Sequence, residues 1–223
     1  MKTRDITIFV IVVMLLVPLR RVLLLPSLGL SGLNIVLVYY AVLFAGAFAI
    51  LRQTPWWSPK GTRLWPLLPG LAALLAVPMF TGYLLGFSLR PQPPLPALMQ
   101  TLAMQVFLVA AAEELFFREA AVKVFGRARA SLYLLSITGF FMIHLPQGFA
   151  VALIAAAMGA ILLALRVAGV WIVLLMGLHA ASNVIFGKLL SIGLSQSVLL
   201  GYAVAYFAVA VLFLAGVHSR FKA

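Results

Sequence analysis

Glu113, Glu114 and Glu119 stand close together in AAEELFFREAAVKVFGR, an otherwise apolar stretch of a chain that has only four acidic residues. An ionised carboxylate in such surroundings needs an opposite charge, a proton or water. Part of the compensation is visible in the spacing. Glu114 and Arg118 are four apart with the acid on the amino-terminal side, the orientation that pairs best on a helix, and Glu119 and Lys123 repeat the arrangement. The second pair is expected to close the helix end at the membrane surface. Glu113 has Phe117 at i+4 and Val109 at i−4, so its carboxylate must take a proton or face something polar on another helix.

Three histidines are present. His218 lies in the basic carboxy-terminal tail and reads as solvated. His144, in FFMIHLPQG, and His179, in GLHAASNVIFG, fall inside apolar runs, and Asn183 follows His179 by four, on the same helical face. Gathered together, these groups form a plausible hydrolytic set. Glu113 with His144 can bind and deprotonate a water, while His179 and Asn183 can donate hydrogen bonds to the oxygen of a peptide carbonyl as it becomes tetrahedral. The other reading is a transporter or scaffold whose buried Glu and His relay protons or join helices. No serine triad, phosphate-binding Gly-rich loop or H-E-x-x-H signature is evident. Cysteine is absent, which excludes disulfides and thiolate sites. Glu113, His144 and His179 permit a zinc site without favouring one, since the remaining polar group, Asn183, is a poor zinc ligand. The expectation is no metal and no other cofactor.

Helices must position these residues. Hydrophobic residues make up 65% of the chain and charged residues 9%, with mean hydropathy +1.18, far from a soluble domain. Apolar runs of spanning length fall at 5–24, 33–51, 64–87, 97–118, 131–148, 149–165, 167–187 and 193–217. The expected architecture is therefore an all-α polytopic membrane protein of about eight transmembrane helices in a single bundle, the active site inside it. Arg20 and Arg21 interrupt the first run and Pro66, Pro69 and Pro78 punctuate the third, so seven spans is the variant count.

The first run is read as an uncleaved anchor, because no A-x-A cleavage site follows it. Trp56, Trp57 and Trp65 suit an interfacial belt. Ala155 with Gly159 and Gly177 with Ala181 are spaced for close helix approach. With eight spans, Arg20, Arg21, Arg90 and Lys188 fall on one side and the other Lys and Arg on the side of the amino terminus, which predicts cytoplasmic termini in a cell membrane. The net charge of +12 is scattered between apolar runs, a topology pattern and not a nucleic-acid surface. A hairpin turning near Ala128 sets Glu113 and His144 at similar depth, and His179 within about two helical turns of them.

EELFFR, Glu113 to Arg118, resembles the E-E-x-x-x-R motif of the CPBP family, the CAAX prenyl proteases and bacteriocin-processing enzymes also called Abi. FFMIH is similar to its F-x-x-x-H motif through Phe140 and His144, and HAASN to its H-x-x-x-N motif through His179 and Asn183. The resemblance implies an intramembrane endopeptidase of the glutamate type. Glu113 and His144 would activate water, His179 and Asn183 would form the oxyanion hole, and Glu114, Arg118 and Phe140 would support them. It divides one membrane domain into amino-terminal spans 1–94, a catalytic core 95–190, and a last span with a basic tail, 191–223. Glu119 stands where relatives often have Gly. The implied partners are membrane lipid and a hydrophobic or lipid-modified protein or peptide substrate; relatives of the immunity type keep the non-proteolytic alternative open.

Overall fold

The structure, a computed structural model, describes residues 3–23, 32–52, 62–91, 93–126, 130–191 and 195–222. Trp56 and Trp57 of the expected aromatic belt lie outside these residues, as do the side chains of Arg20, Arg21 and His218.

Among the described residues the chain forms helical rods: α1 (Thr3–Leu23), α2 (Gly32–Leu51), α3 (Leu67–Leu84), α4 (Leu95–Phe125), α5 (Ala130–His144), α6 (Phe149–Val167), α7 (Ile172–Val184, continued by a π turn Ile185–Leu189) and α8 (Gln196–Lys222). Four stretches, Leu67–Leu84, Leu95–Phe125, Phe149–Val167 and Gln196–Val217, are long and apolar enough to cross a membrane, and Val36–Leu51 and Ile172–Gly187 are shorter apolar helices. Large apolar side chains face outward, Leu68, Phe107 and Leu212 among them, an arrangement that suits lipid rather than water. The chain is an integral membrane protein.

The all-helical expectation has one small exception. Ser88–Leu89 (β1) pairs antiparallel with Leu190–Ser191 (β2), and the Arg90 amide donates to the Leu189 carbonyl, tying the α3–α4 connection to the end of α7. The prolines of α3 do not end it. Pro78 cannot donate to the carbonyl four residues before it, and the backbone answers with a π turn over Ala72–Ala76. The Leu74 carbonyl that Pro78 leaves without its usual donor faces the Tyr206 hydroxyl of α8 at 3.5 Å.

Two rods form the centre. On α4, every residue of 112–121 is buried, and Phe9 of α1 stacks on Phe116 with centroids 4.7 Å apart. On α6, residues 155–165 are buried except Met158, and their small side chains let neighbours come close. Gly159 is the tightest case: a Cβ there would stand 2.9 Å from Phe140 Cδ1 and 3.2 Å from Arg118 Nη2. Gly177, by contrast, is exposed with nothing within 4 Å of a would-be Cβ, so the expected close approach at Gly177 and Ala181 is not made.

Candidate active site

Three helices supply the polar residues: α4 carries Gln105, Glu113, Glu114 and Arg118, α5 ends on His144, and α7 carries His179 and Asn183. The backbone of α4 is uneven here. Wide π turns over Gln105–Ala110 and Leu115–Ala120 flank a single α turn, Ala111–Glu114, that holds both glutamates. Such turns recur at functional sites because they re-aim side chains within a continuous helix. The Ser136 hydroxyl of α5 donates to the Phe117 carbonyl inside the second π turn and pins it.

Consecutive residues on a helix point about 100° apart, so adjacent glutamates meet different surroundings. Glu114 is fully buried. Its Oε1 accepts from His179 Nδ1 at 2.8 Å, and its Oε2 lies 3.3 Å from Arg118 Nε, a close ion pair rather than an aligned hydrogen bond. The buried Arg118 guanidinium lies over the Phe140 ring, Cζ to centroid 4.5 Å, where the ring face supplies attraction that water cannot. Phe140 also touches the His144 ring at 4.6 Å between centroids and the His179 ring at 6.2 Å. One aromatic side chain thus spaces the cation and both imidazoles.

Glu113 is 2% exposed, and its Oε2 stands 3.6 Å from His179 Nε2, within ion-pair range and longer than a hydrogen bond. His179 therefore lies between the two glutamates. His144 turns its Nδ1 to the Phe140 carbonyl at 2.9 Å; a carbonyl only accepts, so Nδ1 carries the proton and Nε2 of the neutral ring keeps the lone pair of a base. The turn after His144 is fixed by Pro146 and by Gly148, whose φ of +112° favours glycine. Asn183 Nδ2 donates to Gln105 Oε1 at 2.9 Å.

A cavity of about 380 Å³ opens onto this layer. Its polar lining includes Glu113, His144, Asn183 and Gln105, and Val109, Ile154, Met158 and Phe186 form much of its apolar side. Of the residues singled out by sequence, Glu113, His144 and Asn183 share the cavity. His179 does not line it and sits behind, against the glutamates, while Glu114, Arg118 and Phe140 form the packed support. Gln105, Tyr40 and Gln147 also line the cavity, and the sequence motifs do not mark them. The available signal for Gln105 was an amide inside a spanning run, which marks a partner or a pathway.

The pair expected between Glu119 and Lys123 is not formed. Glu119 takes both Nε and Nη2 of Arg166 on α6, in a two-pronged ion pair, and Lys123 Nζ donates to the Ile50 carbonyl at 2.6 Å. Two physical preferences decide this. The planar guanidinium matches a carboxylate fork better than an ammonium does, and Ile50 is in the last turn of α2, where carbonyls lack helical donors.

Among the described residues no group of three His, Asp or Glu side chains is placed to hold a metal, and His179 turns Nδ1 to Glu114.

Compared with known proteins, residues 95–185 match the family model described as type II CAAX prenyl endopeptidase, Rce1-like. No curated protein and no solved structure matches the chain.

Proposed function

We propose, from the premise that residues 95–185 belong to the Rce1-like CAAX prenyl endopeptidase family, that the chain is a glutamate-type intramembrane endopeptidase. One observation carries the reading: Glu113, His144 and Asn183, drawn from three helices, face one cavity in an apolar bundle. Glu113 and His144 Nε2 hold a water between them. As the water oxygen attacks the scissile carbonyl carbon, its proton passes to this pair, and the carbonyl π electrons move to oxygen. An Asn183 N–H donates to that oxyanion. Collapse reforms the carbonyl, breaks the C–N bond and returns the proton to the departing amine. Glu114 holds His179, and His179 in turn orients Glu113.

The substrate is a hydrophobic or lipid-modified protein or peptide that reaches the site from the membrane. The enzyme sits in the cell membrane with about eight spans and both termini in the cytoplasm, as one membrane domain with residues 95–190 as its core. It works without a metal. The test is Glu113→Gln, nearly isosteric: the protein should remain folded in detergent while its substrate accumulates uncut in cells. Unchanged cleavage by this variant would sink the reading. The succession Glu114, His179, Glu113 favours a second reading, a proton relay in a transporter. That reading requires pH-driven flux in proteoliposomes, abolished by His179→Ala.

A further inference from the structure

We infer that Gln105 is a catalytic residue, an oxyanion donor that works beside Asn183. The inference rests on the endopeptidase reading and deepens it. An oxyanion that forms in an apolar bundle needs donors fixed before the reaction, since little water is there to supply them. His179 is 1% exposed, donates from Nδ1 to Glu114 and sets Nε2 3.6 Å from Glu113, so of His179 and Asn183 only Asn183 lines the cavity.

Gln105 is better placed. It lines the cavity with Asn183, and its Oε1 accepts one Asn183 Nδ2 hydrogen at 2.9 Å. That bond uses the acceptor end of the Gln105 carboxamide. The NH2 end of Gln105 keeps two N–H donors, and Asn183 keeps its second N–H. The hydrogen bond also holds each planar group against the other, so both stay oriented when no substrate is bound. Gln105 opens the first π turn of α4, one continuous helix with Glu113, which couples the donor to the carboxylate that activates water.

The test uses the full chain purified in detergent. Its probe is a peptide spanning a junction that stays uncut in cells carrying Glu113→Gln. Gln105→Leu is expected to lower kcat about 10²–10³-fold with KM within about 3-fold of the parent. A phosphinate replacing the scissile amide imitates the tetrahedral intermediate, and its affinity should fall by a similar factor, while the uncleaved peptide binds equally well to Glu113→Gln with or without Gln105→Leu. Gln105→Glu keeps the acceptor that Asn183 needs and removes the donors, so it too should be slow. Parental kcat for Gln105→Leu overturns the assignment. Parental kcat for Gln105→Glu also overturns it, since Gln105 would then merely position Asn183. Should Gln105→Leu not fold, Gln105→Glu decides by the same kcat and phosphinate readings. A Glu113→Gln strain in which every junction is still cut is a different failure, one that removes the endopeptidase reading and this inference together.

Discussion

Glu113 and Glu114 are neighbours in the chain, yet their carboxylates live in different settings. Glu114 is enclosed by His179, Arg118 and, through Arg118, the face of Phe140. Glu113 turns to a cavity whose other polar groups come from α2, α4, α5, α7 and the turn after α5. On the enclosed side Glu114, Arg118 and His179 are buried against one another. On the cavity side the polar groups surround a space of about 380 Å³ that a reactant can fill. On the proposed reading the contrast separates two jobs: Glu114 ties α4 to α7 through His179, and Glu113 works on the reactant in the cavity. His179 links the two, because it touches both glutamates.

If that division holds, substitutions on the two sides should fail in different ways. The largest effect belongs to the cavity side. Glu113→Gln should cut the processing rate by about 10³-fold or more, with the thermal midpoint in detergent little changed, as read by pulse-chase and thermal unfolding of the same protein. Loss of folding in step with activity would merge the two sides. Next comes the enclosed side. Arg118→Leu strands a buried carboxylate and should lower stability by about 3–5 kcal/mol, measured by denaturation in mixed micelles. Here activity should fall only as folded protein falls.

Gly159→Val probes the wall between the sides, because its branches would enter the space of Phe140 and Arg118. An overpacking cost of about 1–3 kcal/mol is expected, together with a fall in kcat as Phe140 pushes on His144. A stable but slow variant would show that Phe140 transmits strain to the cavity. The smallest effect lies at the carboxy-terminal end of α4. Lys123→Met removes one hydrogen bond to Ile50 and should cost about 1 kcal/mol or less, with parental cleavage. A large loss of cleavage there would extend the reacting region beyond the cavity.

Much of this could be read from residue types alone. Carboxylates and imidazoles are costly in an apolar run, so Glu113, Glu114, His144 and His179 stood out wherever the helices were drawn, and spacing of four tied Glu114 to Arg118. Turns were legible where Pro and Gly fall, at residues 145–148 and Gly126, but the expected runs 97–118 and 131–148 miss the ends of Leu95–Phe125 and Ala130–His144. The same spacing rule failed at Glu119. It assumes an ordinary α turn and no competitor, whereas a π turn covers Leu115–Ala120 and Arg166 arrives from α6 with a better fork.

The sequence by itself determined that this is a membrane-embedded helical protein with a few buried ionisable groups at helical spacing. That follows from the free energy of putting each side chain in lipid, a property of composition and period. Only the tertiary structure decided which partner each group has: His179 against both glutamates, Gln105 on Asn183, Arg166 on Glu119. Those choices depend on how each helix is rotated and set against its neighbours, to within an ångström or so. Backbone turns such as the π segments of α4 fix that rotation, and a one-dimensional pattern does not carry it.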